Sequence, residues 1–169
     1  SHSLIEGTQE LPNILAISRD IKLIDQKKSY PHNLLGLDQS SFDDLGKKYI
    51  DETKWARSST PYFIDKMPNN FVHIGLIKLI LPKAKIIDAR RNPMDTCFSC
   101  FKQYFAKGQH FTYDLDDIAR YYKDYVRLMD YWKKLFPEEI FTIHYEQVID
   151  NPNDRIRDLL EFCNVKFED

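Results

Sequence analysis

Three things are scarce in this chain of 169 residues: cysteine, net charge and uninterrupted apolar sequence. Cysteine occurs three times, at Cys97, Cys100 and Cys163, an odd number with no second C-x-x-C pair or neighbouring histidine to complete a zinc pattern. No metal is therefore expected. Cys97 and Cys100 fall three apart in a helical pattern and read as buried thiols, and a reducing, cytoplasmic setting fits them best. Lys and Arg number 24 against 26 Asp and Glu, for a formal net charge of -2. Nucleic-acid binding normally rests on a basic excess, so no such partner is expected, although a local pocket for one phosphate remains open. No apolar run reaches the ~20 residues of a membrane span, so no membrane partner is expected. The stretch from Ser1 to Ile5 is not a charged-then-apolar leader and has no initiator Met, so the native N-terminus is expected upstream and targeting is not read from this stretch.

What the chain does have is core-forming material, with 43% hydrophobic and 14% aromatic residues and neither repeats nor low-complexity linkers. A single domain over residues 1–169 is expected. Short β-rich runs alternate with longer helical patterns, which predicts an α/β fold with a parallel sheet flanked by helices. The strands are read at 62–65, 85–90 and 140–145, and their continuous apolar character suits interior strands covered on both faces. Helices are read from Phe71 to Leu81, stopped by Pro82, from Leu115 to Phe136, and from Asn151-Pro152 onward. A polar helix lies between Leu37 and Trp55, capped by Ser40 or Ser41. The aromatic stripe Tyr122, Tyr125 and Trp132 reads as a broad core face rather than a platform for stacking bases.

Three segments carry candidate chemistry. In the densest, Ile86 to Ser99, a strand end delivers Arg90 and Arg91, Pro93 makes a turn, and a helix starts at once. Helix N-termini offer unpaired N–H groups and partial positive charge to a phosphate, and an arginine can grip it with a two-pronged fork. Ser99 falls two turns along, where its hydroxyl can close the cage. The alternative is that Arg90 and Arg91 simply pair with Asp88 or Asp95. In the second segment, Asp65 to Asn70, Lys66 sits at a strand's carboxyl end, where α/β sheets bind ligands; alone it also reads as an exposed lysine. In the third, Glu10 follows a turn at Gly7 and is placed to deprotonate an acceptor, or else to cap the next turn.

Taken in order, Glu6 to Pro12, Asp65-Lys66-Met67-Pro68-Asn69-Asn70-Phe71 with Gly75-Leu76-Ile77, Arg91-Asn92-Pro93-Met94-Asp95 to Ser99, and Tyr145-Glu146 resemble the sulfotransferase superfamily. The likeness starts at Ser1-His2 and is nearest to the bacterial branch often fused to tetratricopeptide repeats, which is similar to the protein-tyrosine sulfotransferases. It implies a P-loop-like α/β fold and transfer of a sulfuryl group from 3′-phosphoadenosine 5′-phosphosulfate (PAPS) to a hydroxyl or amine acceptor, without a metal. It also implies that Arg91 and Ser99 hold the 3′-phosphate, that Tyr145 contacts the adenosine, that Lys66 stabilises the leaving phosphate, and that Glu10 is the general base. Its partners are then the nucleotide donor and a hydroxyl-bearing acceptor, with tetratricopeptide repeats upstream.

The resemblance further places the first strand and the 5′-phosphosulfate loop before Ser1, and a closing segment after Asp169. On that reading residues 1–169 are a partial sulfotransferase domain, inactive as given. Gln103 stands where the tyrosine-sulfating branch has an arginine, which counts against a protein-tyrosine acceptor. His73 falls inside a helical pattern and is expected to pack there rather than act as a base. Two other functions compete: a P-loop-type nucleoside or sugar kinase, for which Asp88 is the one hint of a metal-holding carboxylate, and a non-catalytic nucleotide-binding module.

Overall fold

The carboxyl ends of two parallel strand pairs organise the molecule. The structure, a computed structural model, describes residues 2–24 and 28–168, so Ser1, where the resemblance starts, and Asp169 lie outside the described residues. The chain divides into two compact units, Ser1–Ala84 and Lys85–Asp169. Each is a mixed α/β unit in which a small parallel sheet is flanked by helices, the architecture predicted for a P-loop-like fold.

In the first unit, strand β1 (Ile5–Gly7) pairs in parallel with β2 (Tyr62–Ile64), with Ile5 opposite Tyr62 and Gly7 opposite Ile64. Gly7 is thus the last residue of a strand and not a turn, because its backbone is engaged in the ladder. Helix α1 (Asn13–Ile24) escaped the sequence reading although its signal was present. Leu11, Ile14, Ile17 and Ile21 recur at helical spacing and are fully buried, each at most 1% exposed. Helix α2 (Gln39–Glu52) is the predicted polar helix, and Phe42, Gly46 and Tyr49 form its buried face. Its cap is Asp38 rather than Ser40 or Ser41. Asp38 accepts from the Ser41 N–H at 2.9 Å and the Ser41 hydroxyl at 2.7 Å, so Ser41 sits three residues past the cap.

The helix expected from Phe71 begins differently. Pro68–His73 is a tight 3-10 segment, and helix α3 runs from Ile74 to Ile80 with Ile74, Leu76, Ile77 and Ile80 buried. Three-residue turns commonly precede α-helices, and Leu81, before Pro82, is forced out of helical geometry. His73 packs as expected. It is buried, and its Nδ1 lies 2.9 Å from the Tyr30 hydroxyl.

In the second unit, strand β3 (Ile86–Arg90) pairs in parallel with β4 (Ile140–His144), from Ile86 opposite Ile140 to Arg90 opposite His144. The expectation of strands apolar and covered on both faces needs correction. Ile87 is 39% exposed, and the buried residue of β3 is Asp88, because alternate residues point to opposite faces and the 86-88-90 face meets helix α5 (Leu115–Leu135). Helix α4 (Pro93–Lys102) follows β3, and α6 (Tyr145–Asp150) and α7 (Pro152–Phe162) follow β4. The core of this unit gathers Ile118 and Met129 from α5, Leu160 from α7, and Val165. Tyr122, Tyr125 and Trp132 are half-buried along the same stripe, and Leu115 at its head is exposed. None of the described helices is long and apolar enough to cross a membrane.

Candidate functional site

Residues that leave neighbouring parallel strands emerge side by side, and both units use this. In the first unit the β1–β2 register brings the segment after Gly7 next to the segment after Ile64. Thr8 fastens the two: its N–H donates to the Ile64 carbonyl at 3.1 Å and its hydroxyl donates to the same oxygen at 2.7 Å. Beyond this clasp the Lys66 ammonium donates to Glu10 Oε1 at 2.5 Å, with both side chains more than half exposed. Glu10 thus pairs with a cation and caps no helix. The segment that carries Lys66 is pinned from below. Asp65 accepts the Tyr49 hydroxyl at 2.8 Å and the Met67 N–H at 3.1 Å, which closes a tight turn around Lys66.

In the second unit the register that sets Arg90 opposite His144 sets Arg91 beside Tyr145. The guanidinium carbon of Arg91 lies 5.7 Å from the centre of the exposed Tyr145 ring. One position further along, the Glu146 carboxylate accepts the Asn92 N–H at 2.8 Å. That bond holds Glu146 below the usual carboxylate range.

Arg90 and Arg91 part company. Arg90 turns inward, its Nε donating to Asp88 at 2.8 Å. Arg91 stays about half exposed, with Asp95 at a loose 3.9 Å. It opens instead onto a cleft of about 400 Å³ lined by Arg91, Asp95, Phe98, Ser99, Lys102 and Gln103. Arg91 and Ser99, predicted to share a phosphate, therefore share a cleft.

The α4 N-terminus itself is not open in the way expected. The α4 N-terminus has no N–H groups to spare. Asn92 Oδ1 accepts from Met94 N at 2.9 Å and from Asp95 N at 3.3 Å, and the Asn92 carbonyl takes Thr96 N at 2.9 Å. Pro93 has no N–H at all. An asparagine at the cap position satisfies the helix end by itself, so an anion here is left to side chains along the helix flank.

Asp88 is likewise committed. Its carboxylate is 3% exposed and is met by Arg90, by Lys133 at 3.2 Å, by the Tyr125 hydroxyl and by Thr142 at 3.4 Å. A carboxylate so enclosed by cations and hydroxyls is a structural hub and no natural metal ligand, which removes the sequence support for a kinase. Cys97 and Cys100 lie half-buried in α4, and burial pushes the Cys97 thiol up, which makes it a poor nucleophile.

The sulfotransferase family matches residues 2–169 of this chain, through both units. The chain belongs to that family. A relative from Aquifex aeolicus (strain VF5), an uncharacterized protein, is 33% identical over 178 residues. The match takes in 100% of this chain but 23% of that relative, so the chain spans less than a quarter of the relative's length.

Within this sulfotransferase family member, the predicted site residues fall into two groups: Glu10 with Lys66 in the first unit, and Arg91, Ser99 and Tyr145 in the second. The sequence reading passed over Lys102, although it stands three residues after Ser99 and so on the same helix face. It also gave no role to Glu146, the brace of the turn after β3, or to Tyr49, the brace of the Lys66 turn. Glu146 could be found from strand register. Nothing in the sequence near Lys66 points to Tyr49.

Proposed function

We propose that this protein transfers a sulfuryl group from PAPS to a hydroxyl or amine acceptor, within the bacterial branch that resembles the protein-tyrosine sulfotransferases. Membership of the sulfotransferase family supports the reaction class. The observation that carries the donor assignment is the cleft shared by Arg91 and Ser99, beside Tyr145. In this reading Arg91 and Ser99 bind the 3′-phosphate and the Tyr145 ring contacts the adenosine. The family match runs through both units, which supports treating them as parts of one domain. The relative is much longer than this chain, which fits a full-length protein with further modules; that these include tetratricopeptide repeats rests on the sequence resemblance alone. Three free thiols among the described residues fit a reducing, cytoplasmic setting.

The proposed chemistry gives the residues the roles that the family resemblance implies. The acceptor oxygen attacks sulfur in line with the bond to the 5′-phosphate, and that S–O bond breaks as the new one forms. The acceptor proton passes to the Glu10 carboxylate, and Lys66 stabilises the negative charge that collects on the departing phosphate. The products are the sulfate ester and adenosine 3′,5′-bisphosphate. Glu10 and Lys66 form one ion pair, which holds the two side chains side by side until substrate separates them.

The test is calorimetric titration of the full-length protein with adenosine 3′,5′-bisphosphate. Arg91→Ala is expected to weaken binding by about 1.5–3 kcal/mol, the scale of a hydrogen bond to a charged group. Equal affinity in the variant would remove Arg91 from the site.

A further inference from the structure

The charges that line the Arg91 cleft do not favour an anion unless one further residue takes part. Arg91 and Asp95 are neighbours on one face, and their opposite charges offset each other. The N-terminal N–H groups of α4 are consumed by Asn92. The flank that Ser99 occupies lies toward the C-terminal half of α4, where the helix dipole is negative and repels anions. Arg91 with Ser99 alone would thus ask a doubly charged phosphate monoester to settle in a cleft with no net positive charge.

Lys102 changes this balance. It is the last residue of α4, one turn beyond Ser99, and it lines the same cleft. Its ammonium lies 5.4 Å from the centre of the Phe98 ring, which keeps the charged end along the cleft wall. Among the described residues no carboxylate pairs with it. Arg91 and Lys102 therefore stand at opposite ends of a row with Ser99 between them, and Lys102 alone supplies the net positive charge.

We propose that Lys102 is a phosphate-binding residue, the second cationic arm of the Arg91–Ser99 cleft, and that it sets the preference of this cleft for a phosphate monoester. The proposal rests on the reading of the cleft as the 3′-phosphate site. A lysine serves here as a mobile point charge that reaches the phosphate from the side opposite the Arg91 fork.

The experiment compares adenosine 3′,5′-bisphosphate with adenosine 5′-monophosphate on full-length wild type, Lys102→Met, Lys102→Arg and Arg91→Ala. Lys102→Met keeps the aliphatic stem on Phe98 and removes only the charge, and circular dichroism checks its fold. The expected result is a loss of about tenfold for the bisphosphate in Lys102→Met, the scale of one charged hydrogen bond. The loss for the monophosphate should be small, and Lys102→Arg should restore most of the selectivity. If Lys102→Met keeps wild-type selectivity while Arg91→Ala loses it, Lys102 has no part and the reading of the cleft stands. If wild type itself does not distinguish the two nucleotides, that reading fails and the role of Lys102 fails with it.

Discussion

Asp88 shows how much one side chain can decide. A carboxylate on a strand is an unlikely core residue, yet Asp88 is the buried position of β3. Arg90 and Lys133 supply opposite charge, and Tyr125 and Thr142 supply hydroxyl donors. Burial and then the Asp88 hydrogen bond push the Tyr125 phenol up, so it remains a proton donor throughout the physiological range. Removing the carboxylate leaves two cations facing each other, so Asp88→Ala should cost about 3–5 kcal/mol, the range for breaking a buried pair. Tyr125→Phe removes one donor of several and should cost about 1 kcal/mol. Urea unfolding midpoints measure both. Equal losses in the two variants would mean that Asp88 is held mainly by Tyr125 and not by the cations.

At the scale of elements, close approach and edge chemistry matter most. Helices α2 and α3 meet at Gly46, where a β-carbon would lie 2.1 Å from the Ile80 carbonyl oxygen. A backbone atom cannot step aside as a side chain can. Gly46→Ala should therefore destabilise by about 1–3 kcal/mol or more despite alanine's better helix propensity, as thermal or urea unfolding would show. Strand β1 has its own lock in Glu6, which accepts from the Ser58 hydroxyl at 2.7 Å, the Ser58 N–H at 2.7 Å and the Thr60 hydroxyl at 2.7 Å. The Ser58 hydroxyl first, then the Ser58 N–H and Thr60, hold Glu6 below its ordinary 4.5. The unfolded chain thus takes up this proton more readily. Its contribution is full above 4.5 and is lost as the pH falls through the depressed folded value. Glu6→Gln should lower stability near neutral pH and flatten the acid limb of the stability profile below the ordinary carboxylate value of 4.5. An unchanged acid limb would show that other carboxylates govern it.

The whole molecule carries a net charge of -2 and has one tryptophan in each unit, Trp55 in the first and Trp132 in the second. The proposed contacts to the 3′-phosphate and the adenosine, through Arg91, Ser99 and Tyr145, lie in the second unit. In a Trp55→Phe variant, Trp132 fluorescence reports that unit alone. Adenosine 3′,5′-bisphosphate at a hundred times its dissociation constant should then raise its stability by about 2.7 kcal/mol, seen as a later urea midpoint. No shift, with binding confirmed separately, would place the nucleotide outside the second unit.

The local patterns were legible because they depend on neighbours in sequence. Strand runs at 62–64, 86–90 and 140–144, the stripe of α5 and the proline starts of α4 and α7 follow from periodicity and proline geometry. Helix α1 could have been read in the same way from Leu11, Ile14, Ile17 and Ile21. The order of Lys66, Arg91, Ser99 and Tyr145 along the chain carried the family resemblance without any coordinates. Tertiary structure decided what depends on strand register and on partners far along the chain. It joined Glu10 to Lys66 across 56 positions, set Tyr145 beside Arg91, and sent Arg90 to Asp88 while leaving Arg91 free to face the cleft. It also let Asn92 satisfy the N–H groups of the α4 N-terminus that were expected to face a phosphate. A cap residue satisfies backbone N–H groups only through its actual geometry, and spacing alone does not reveal whether it does.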